Sequence, residues 1–357
     1  AISDGEDPDD IIKELIIKVQ KTKQVDSGRT HIQKAVGDYT EEFKNIYESR
    51  TNTSIESPVI KTHYSMLDSV TGGLRPAELI LIGGETNSGK SMFLNNIATQ
   101  MWMQENTPDT HPDDYTRGYS VLYFSLEMPY EDCYNRFIAK VADVPQNAIN
   151  NGTLDEYQMQ KIDKSLKFLE NYQRAGNFFE IVDVPRGVTI EEVELRYQDA
   201  LLKFKPDIVV IDYMGLMHDN NTKDQDWLKL GAIAASLHEF SRANEVVMIT
   251  AVQLTDIKRG QKTKEQDESQ RVGPHRIGRS SHIMHHVNIG IQIETRNNER
   301  SLPDLKYHII KNRRGPVAQG NLIKNFECAA LYDVPFIDDI KQDNIKENIP
   351  ELIKSIR

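Results

Sequence analysis

Cysteine is nearly missing from this chain: Cys133 and Cys328 are the only two in 357 residues. Two thiols can frame neither a disulfide scaffold nor a zinc site, so a reducing compartment, the cytoplasm, is expected. Long apolar runs are also missing. Nothing approaches the roughly 20 apolar residues of a membrane-spanning helix. The opening AISDGEDPDD is acidic rather than apolar, so neither membrane insertion nor secretion is expected. Positive charge is short as well, with 43 Lys and Arg against 54 Asp and Glu and a net charge of −11. That excludes wholesale coating of nucleic acid and leaves room for a local basic patch. There is no internal repeat and no low-complexity tract. What remains is an ordinary globular composition, 38% hydrophobic and 27% charged, in a length that holds one large α/β domain or two smaller ones.

The most informative stretch present is ELILIGGETNSGKSMFLNNIAT, residues 78–99. Leu79 to Ile82 is a short continuous apolar run of the kind a buried parallel strand needs. An amphipathic helix is expected from Lys90, with Met92, Phe93, Ile97 and Ala98 on one face. Between them, Gly84-Glu85-Thr86-Asn87-Ser88-Gly89-Lys90-Ser91 fits G-x-x-x-x-G-K-[ST]. The glycines let successive N–H groups turn inward on a phosphate, and the helix N-terminus adds its positive end. Lys90 can reach the β- and γ-phosphates, and Ser91 can hold Mg²⁺ through its hydroxyl. ATP with Mg²⁺ is the expected ligand.

Upstream, Ile12, Leu15, Ile16 and Val19 recur at helical spacing, and a second helical pattern runs from Tyr39 to Tyr47. The first of these helices either folds back on its own core or docks on another copy of the protein. A linker at 50–58 closes this leader, residues 1–60. From Thr62 strands and helices alternate. Strands are expected at Val121–Leu126, Phe178–Val182, Ile208–Ile211 and Val246–Thr250. Helices are expected at 131–142, 154–171, 189–203 and 224–244. Such alternation means βαβ units and a parallel sheet with right-handed crossovers. Asn288–Glu294, Leu305–Lys311 and Ala318–Phe326 read as further strands, the last two joined at Asn312–Pro316 as a hairpin. Residues 61–333 are thus one α/β domain, and 334–357 form a charged tail.

Ligands of open α/β sheets lie beyond the carboxyl ends of the strands. Glu127, Asp212 and Gln253 stand at such ends. Asp212 can orient Mg²⁺, directly or through its water. Glu127, on a strand expected to neighbour the phosphate loop, can take a proton from attacking water. Gln253 can contact the γ-phosphate.

Phe124-Ser125-Leu126-Glu127-Met128, Ile211-Asp212-Tyr213, Gln253-Leu254 and Lys311-Asn312-Arg313-Arg314-Gly315-Pro316, following the phosphate loop, appear in the order found in DnaB-type replicative helicases. The chain resembles that family over about residues 60 to 333. The resemblance implies a RecA-like P-loop NTPase core with a C-terminal antiparallel hairpin and a helical leader. It also implies a ring of six copies that moves on single-stranded DNA and unwinds duplex. Under it Glu127 is the catalytic base, Arg136 lies near the γ-phosphate, and Lys311 and Arg313 reach into the neighbouring subunit's site. The first leader helix then corresponds to the linker helix that packs on that neighbour. The leader is too short for the family's helical N-terminal domain.

From Asp256 to His282 periodicity gives way to basic residues and glycines. This is where the family carries its DNA-binding loop, although Gly278-Arg279-Ser280-Ser281 departs from its usual letters. Arg279, Ser280 and Ser281 are expected to touch DNA phosphates, with Arg276 and Lys264 in support. Contacts of that kind read no base, as suits a motor that must pass any sequence. A primase or a helicase loader is the further partner the resemblance implies. A filament-forming recombinase or a nucleotide-switched loading factor is the alternative reading.

Overall fold

In the computed structural model of the chain, residues 44, 59–184, 186–219, 226–254, 273, 281–296 and 304–333 are described. The chain divides into two units, Ala1–Ser57 and Pro58–Arg357, and all described residues but Lys44 belong to the second. The expected leader helices and the tail lie outside the described residues, as does the basic interval from 256 to 280 apart from Gly273.

The apolar runs become strands: β1 (Leu79–Gly84), β2 (Val121–Ser125), β3 (Phe179–Asp183), β4 (Ile208–Asp212) and β5 (Val247–Gln253). After them come β6 (Ile289–Arg296), β7 (Asp304–Asn312), β8 (Gln319–Asn325) and β9 (Ala330–Asp333). They form one sheet in the order β3-β2-β4-β5-β1-β6-β7-β8-β9. Pairings from β3 to β6 are parallel and those from β6 to β9 antiparallel. β1, β2 and β4 are buried along their whole length, as strands covered on both faces must be. Alternation along them divides the core in two. Ile80 and Ile82 pack with Phe93, Trp102 and Tyr307 on one face, and Leu79 and Leu81 with Phe124, Ile211 and Met248 on the other.

The helices are α1 (Ser65–Thr71), α2 (Lys90–Met103), α3 (Tyr130–Ala142), α4 (Gln146–Asn151), α5 (Glu156–Arg174), α6 (Ile190–Leu201), α7 (Asp226–Asn244) and α8 (Ser281–His286). Capping boxes start two of them: Asp155 with Gln158 at α5, and Thr189 with Glu192 at α6. Among the described residues, no helix is long and apolar enough to cross a membrane.

Two expectations need correction. Glu127 does not follow a neighbour of β1, because β1 lies between β5 and β6 and is separated from β2 by β4 and β5. Crossovers can skip strands, so chain order does not dictate sheet order. Helix α2 is not amphipathic, since Asn95, Asn96 and Thr99 are buried along with Phe93, Leu94, Ile97 and Met101. The Asn96 amide explains this: it donates to Ala329 O (2.8 Å) and accepts from Leu331 N (2.8 Å), so the end of the sheet covers the helix's polar side. The expected C-terminal hairpin is present as β7 and β8, within a four-strand antiparallel extension that β9 completes.

Candidate nucleotide site

The phosphate loop leaves the central strand β1 at Gly84 and enters α2 at Lys90. A Cβ on Gly84 would fall 2.3 Å from Ser88 Oγ, so the loop folds this tightly only with glycine there. Asn87 (φ 61°) and Gly89 (φ 94°) both take the left-handed conformation that turns the chain into the helix. Ser88 N donates to Glu85 O (3.2 Å), and Leu254 N donates to Gly84 O (3.0 Å), tying the loop to the end of β5. The first-turn amides of α2, on Lys90, Ser91 and Met92, precede the helix's own acceptors and are available to an anion.

Lys90 folds over this loop, its ammonium donating to Glu85 O (2.7 Å) and Gly84 O (3.1 Å). Burial lowers its pKa, while the charges of Glu127, Asp212 and Glu85 act the other way. Asp212 ends β4 and is 2% exposed. Ser91 Oγ donates to its Oδ1 (3.1 Å) and Tyr123 OH to its Oδ2 (2.9 Å). Burial pushes this carboxyl's pKa up, against those two hydrogen bonds and the charge of Arg136. Thr250 shapes the turn beyond it, donating to Ile211 O (2.9 Å) and accepting from Met214 N (3.1 Å).

Glu127 is exposed just past β2, and Leu126 N donates to Asp212 O (2.9 Å) beside it. Its charge is felt by Lys90, Asp212 and Tyr213, so it joins the site although its strand is not next to β1. Arg136, on α3, is felt by both Asp212 and Tyr123. Gln253 pairs with Gly84 across β1 and β5, and its amide donates to Thr86 Oγ1 (2.6 Å). A hydroxyl beside a carboxylate, under a loop of inward amides, is a donor set that suits a triphosphate with Mg²⁺, a cation that takes oxygen ligands. Among the described residues, no cluster of His, Cys, Asp and Glu offers a rival metal centre.

Lys311 and Arg313 are elsewhere. Lys311 pairs with Gly290 at the start of β6, where Ile289 pairs with Ile80. They therefore lie toward the amino edge of the sheet, while the loop is at its carboxyl edge: Gly290 pairs with Leu81, which sets Lys311 about 10 Å back from Gly84 along the strands at roughly 3.3 Å per residue, with Arg313 farther. Lys311 Nζ donates to Met284 O and Arg313 to His285 O. Burial, then Arg313, lowers the pKa of Lys311. Around them stand His282 and His285 (ring centroids 6.3 Å apart) and His238 and His286 (6.4 Å). Arg314, next in the chain, turns inward to a partly buried ion pair with Glu78 (2.9 Å).

Of the residues expected on DNA, Lys264, Arg276, Arg279 and Ser280 lie outside the described residues. Ser281 opens α8, and its side chain lies outside them too. Gly273 N donates to Gln292 Oε1 (3.0 Å), which ties that residue to β6 beside β1. Sequence reasoning missed Tyr123, which in an apolar strand reads as core. A separate cleft of about 350 Å³ at the amino edge is lined by Arg117, Lys203, Lys205 and Asp207. Its charges largely answer one another or their neighbours, Arg117 facing Asp207 (4.0 Å) and Lys203 bonding Glu180 (2.9 Å).

A parallel sheet whose central strand feeds a phosphate loop, with a carboxylate ending a strand opposite its serine, defines a RecA-like P-loop domain. The chain belongs to the DnaB-like helicase C-terminal domain family, whose model matches residues 59–331. It is 28% identical over 197 residues to the replicative DNA helicase DnaB of Haemophilus influenzae, covering 55% of this chain and 38% of that one. To the DnaB of Buchnera aphidicola subsp. Schizaphis graminum it is 26% identical over 247 residues, 69% of this chain and 49% of that. It thus spans less than half the length of these relatives. Among solved structures, a chain described as an ATPase domain superposes with a TM-score of 0.68 at 19% identity, covering 84% of this chain and all of that one. A DnaB-like replicative helicase, described with its interactions with primase, gives 0.67 at 18%, covering 90% and 72%. At such identities these two likenesses speak for the fold.

Proposed function

We propose that this chain is the motor of a replicative DNA helicase, hydrolysing ATP at sites shared between copies of itself in a six-membered ring. The observation that carries this reading is the division of the machinery between two edges of one sheet. The loop, Lys90, Ser91, Asp212, Glu127 and Arg136 gather at the carboxyl edge, and Lys311 and Arg313 lie at the amino edge. One chain cannot bring both sets to one nucleotide. Two copies arranged head to tail can, and such contacts close into a ring when the rotation permits.

In this mechanism Gly84 to Ser91 hold the phosphates through backbone amides, with Lys90 leaving the loop carbonyls for the β- and γ-phosphates. Ser91 and Asp212 would hold Mg²⁺ through their oxygens, and the ion would supply positive charge to the phosphates. Glu127 takes the proton of the attacking water, and Arg136 adds positive charge beside it. Lys311 and Arg313 of one copy stabilise the charge on the phosphoryl group held by the next. Gln253 exchanges Thr86 for the γ-phosphate and so reports its presence along β5 to the basic interval. There Lys264, Arg276, Arg279, Ser280 and Ser281 grip single-stranded DNA through its phosphates. A primase or a loader is the further partner, and the cytoplasm the expected compartment.

Strand displacement on a forked duplex tests this reading. ATP should release the labelled strand, ADP should not, and Lys90→Ala should be inactive. Hydrolysis stimulated by single strands, with no displacement under any condition, would overturn it.

A further inference from the structure

Tyr123 sits in the middle of β2 and is 3% exposed. Its ring belongs to the core, stacked on Phe179 with centroids 6.2 Å apart. Its hydroxyl does something the core does not require. A buried phenol needs an acceptor, and many buried tyrosines find one in a backbone carbonyl. This one donates to Asp212 Oδ2 at 2.9 Å.

The register makes the contact possible. Ser125 pairs with Asp212 and Tyr123 with Val210 across β2 and β4, so Tyr123 and Asp212 are diagonal neighbours within reach of a long side chain. Ser91 Oγ donates to the other oxygen, Oδ1, at 3.1 Å. The carboxylate is therefore held from both sides, by the phosphate-loop helix and by a strand that does not touch β1. Swinging the carboxylate to another χ1 rotamer would break these bonds.

We propose that Tyr123 is a positioning residue for the metal half of the site: its hydroxyl fixes the Asp212 carboxylate beside the Ser91 hydroxyl as a ready pair of oxygens for a divalent cation arriving with nucleotide. The inference rests on the reading of Ser91 and Asp212 given above. It assigns Tyr123 no contact with substrate.

Tyr123→Phe keeps the ring and removes the bond. Binding of a fluorescent ADP analogue to the full chain is measured in EDTA and across a Mg²⁺ titration, with Mn²⁺ bound alongside ADP counted by electron paramagnetic resonance. Binding in EDTA should stay within about twofold of the parent, because the loop amides and Lys90 are untouched. The Mg²⁺ needed for half of its enhancement should rise about tenfold, as befits loss of a hydrogen bond to a charged group, and Mn²⁺ occupancy should fall in step. An unchanged Mg²⁺ response would overturn the inference and leave Tyr123 a core residue. So would an equal loss in EDTA, which marks damaged packing. Ser91→Ala separates the two levels: if it leaves the Mg²⁺ response unchanged, the reading of the site falls and takes this inference with it. If it shifts the response and Tyr123→Phe does not, only the inference falls.

Discussion

The two edges of the sheet are built differently. At the carboxyl edge, side chains from separate elements bond one another: Ser91 and Tyr123 both donate to Asp212, and Gln253 donates to Thr86. At the amino edge, Lys311 and Arg313 donate to the backbone carbonyls of Met284 and His285. Side-chain bonds between elements fix a geometry within one chain. Side chains resting on nearby carbonyls give up little when they leave. We propose that the carboxyl edge is a nucleotide pocket largely prearranged by its own chain and that the amino edge is the half offered to another copy.

The largest expected effect falls at the amino edge. Arg313→Ala should lower ATP turnover by about 10³-fold or more while nucleotide affinity, read by equilibrium dialysis, stays at the parent value. Normal turnover would end the claim that this edge takes part in hydrolysis. At the carboxyl edge, Glu127→Gln should lower turnover by about 10²- to 10⁴-fold, also without loss of binding. Single-turnover rates on prebound ATP read this directly, and parent-like rates would mean that the base is another group.

A smaller effect measures how firmly the sheet extension seals α2. Asn96→Ala removes both bonds to the chain around β9 and leaves Ala329 O and Leu331 N buried without them. It should cost about 1–3 kcal/mol, seen as a lower denaturant midpoint at unchanged slope. A midpoint equal to the parent's would show that α2 does not depend on this contact.

The smallest effect is electrostatic. Burial first, and nearby charges including Arg313 after it, hold His238 and His286 below the ordinary value of 6.5. The folded state thus resists protonating them, so their contribution to stability is complete above that value and declines as pH falls through their lower folded values. Arg313→Ala removes one depressing charge from both. Their imidazoles, followed by NMR of histidine-labelled protein, should titrate at higher pH than in the parent. Identical titrations would mean that Arg313 does not share their surroundings.

Much of the carboxyl edge is legible in the sequence because its chemistry is local. The loop from Gly84 to Ser91 announces itself by spacing, and Asp212 by four apolar residues before it. Sheet order is not legible, since the placement of β4 and β5 between β2 and β1 depends on crossovers that spacing does not encode. Tyr123 escapes notice because a strand's pattern tells which face is buried, not where a buried hydroxyl ends. The short helices α1, α4 and α8 complete too few turns to show periodicity, and β9 is only four residues long. The pairing of β7 and β8 as a hairpin is readable from Asn312 to Pro316, but the placement of that turn at the opposite edge from the loop comes only with the fold.

The most direct test mixes two inactive variants. Lys90→Ala retains the amino-edge cations, and Arg313→Ala retains a working phosphate loop. On the proposed shared site, the loop of one would meet the arginine of the other in mixed assemblies, and ATP turnover well above that of either variant alone is predicted. If every ratio of the two stays as inactive as the separate variants, while both still assemble with parent protein, the shared site is contradicted.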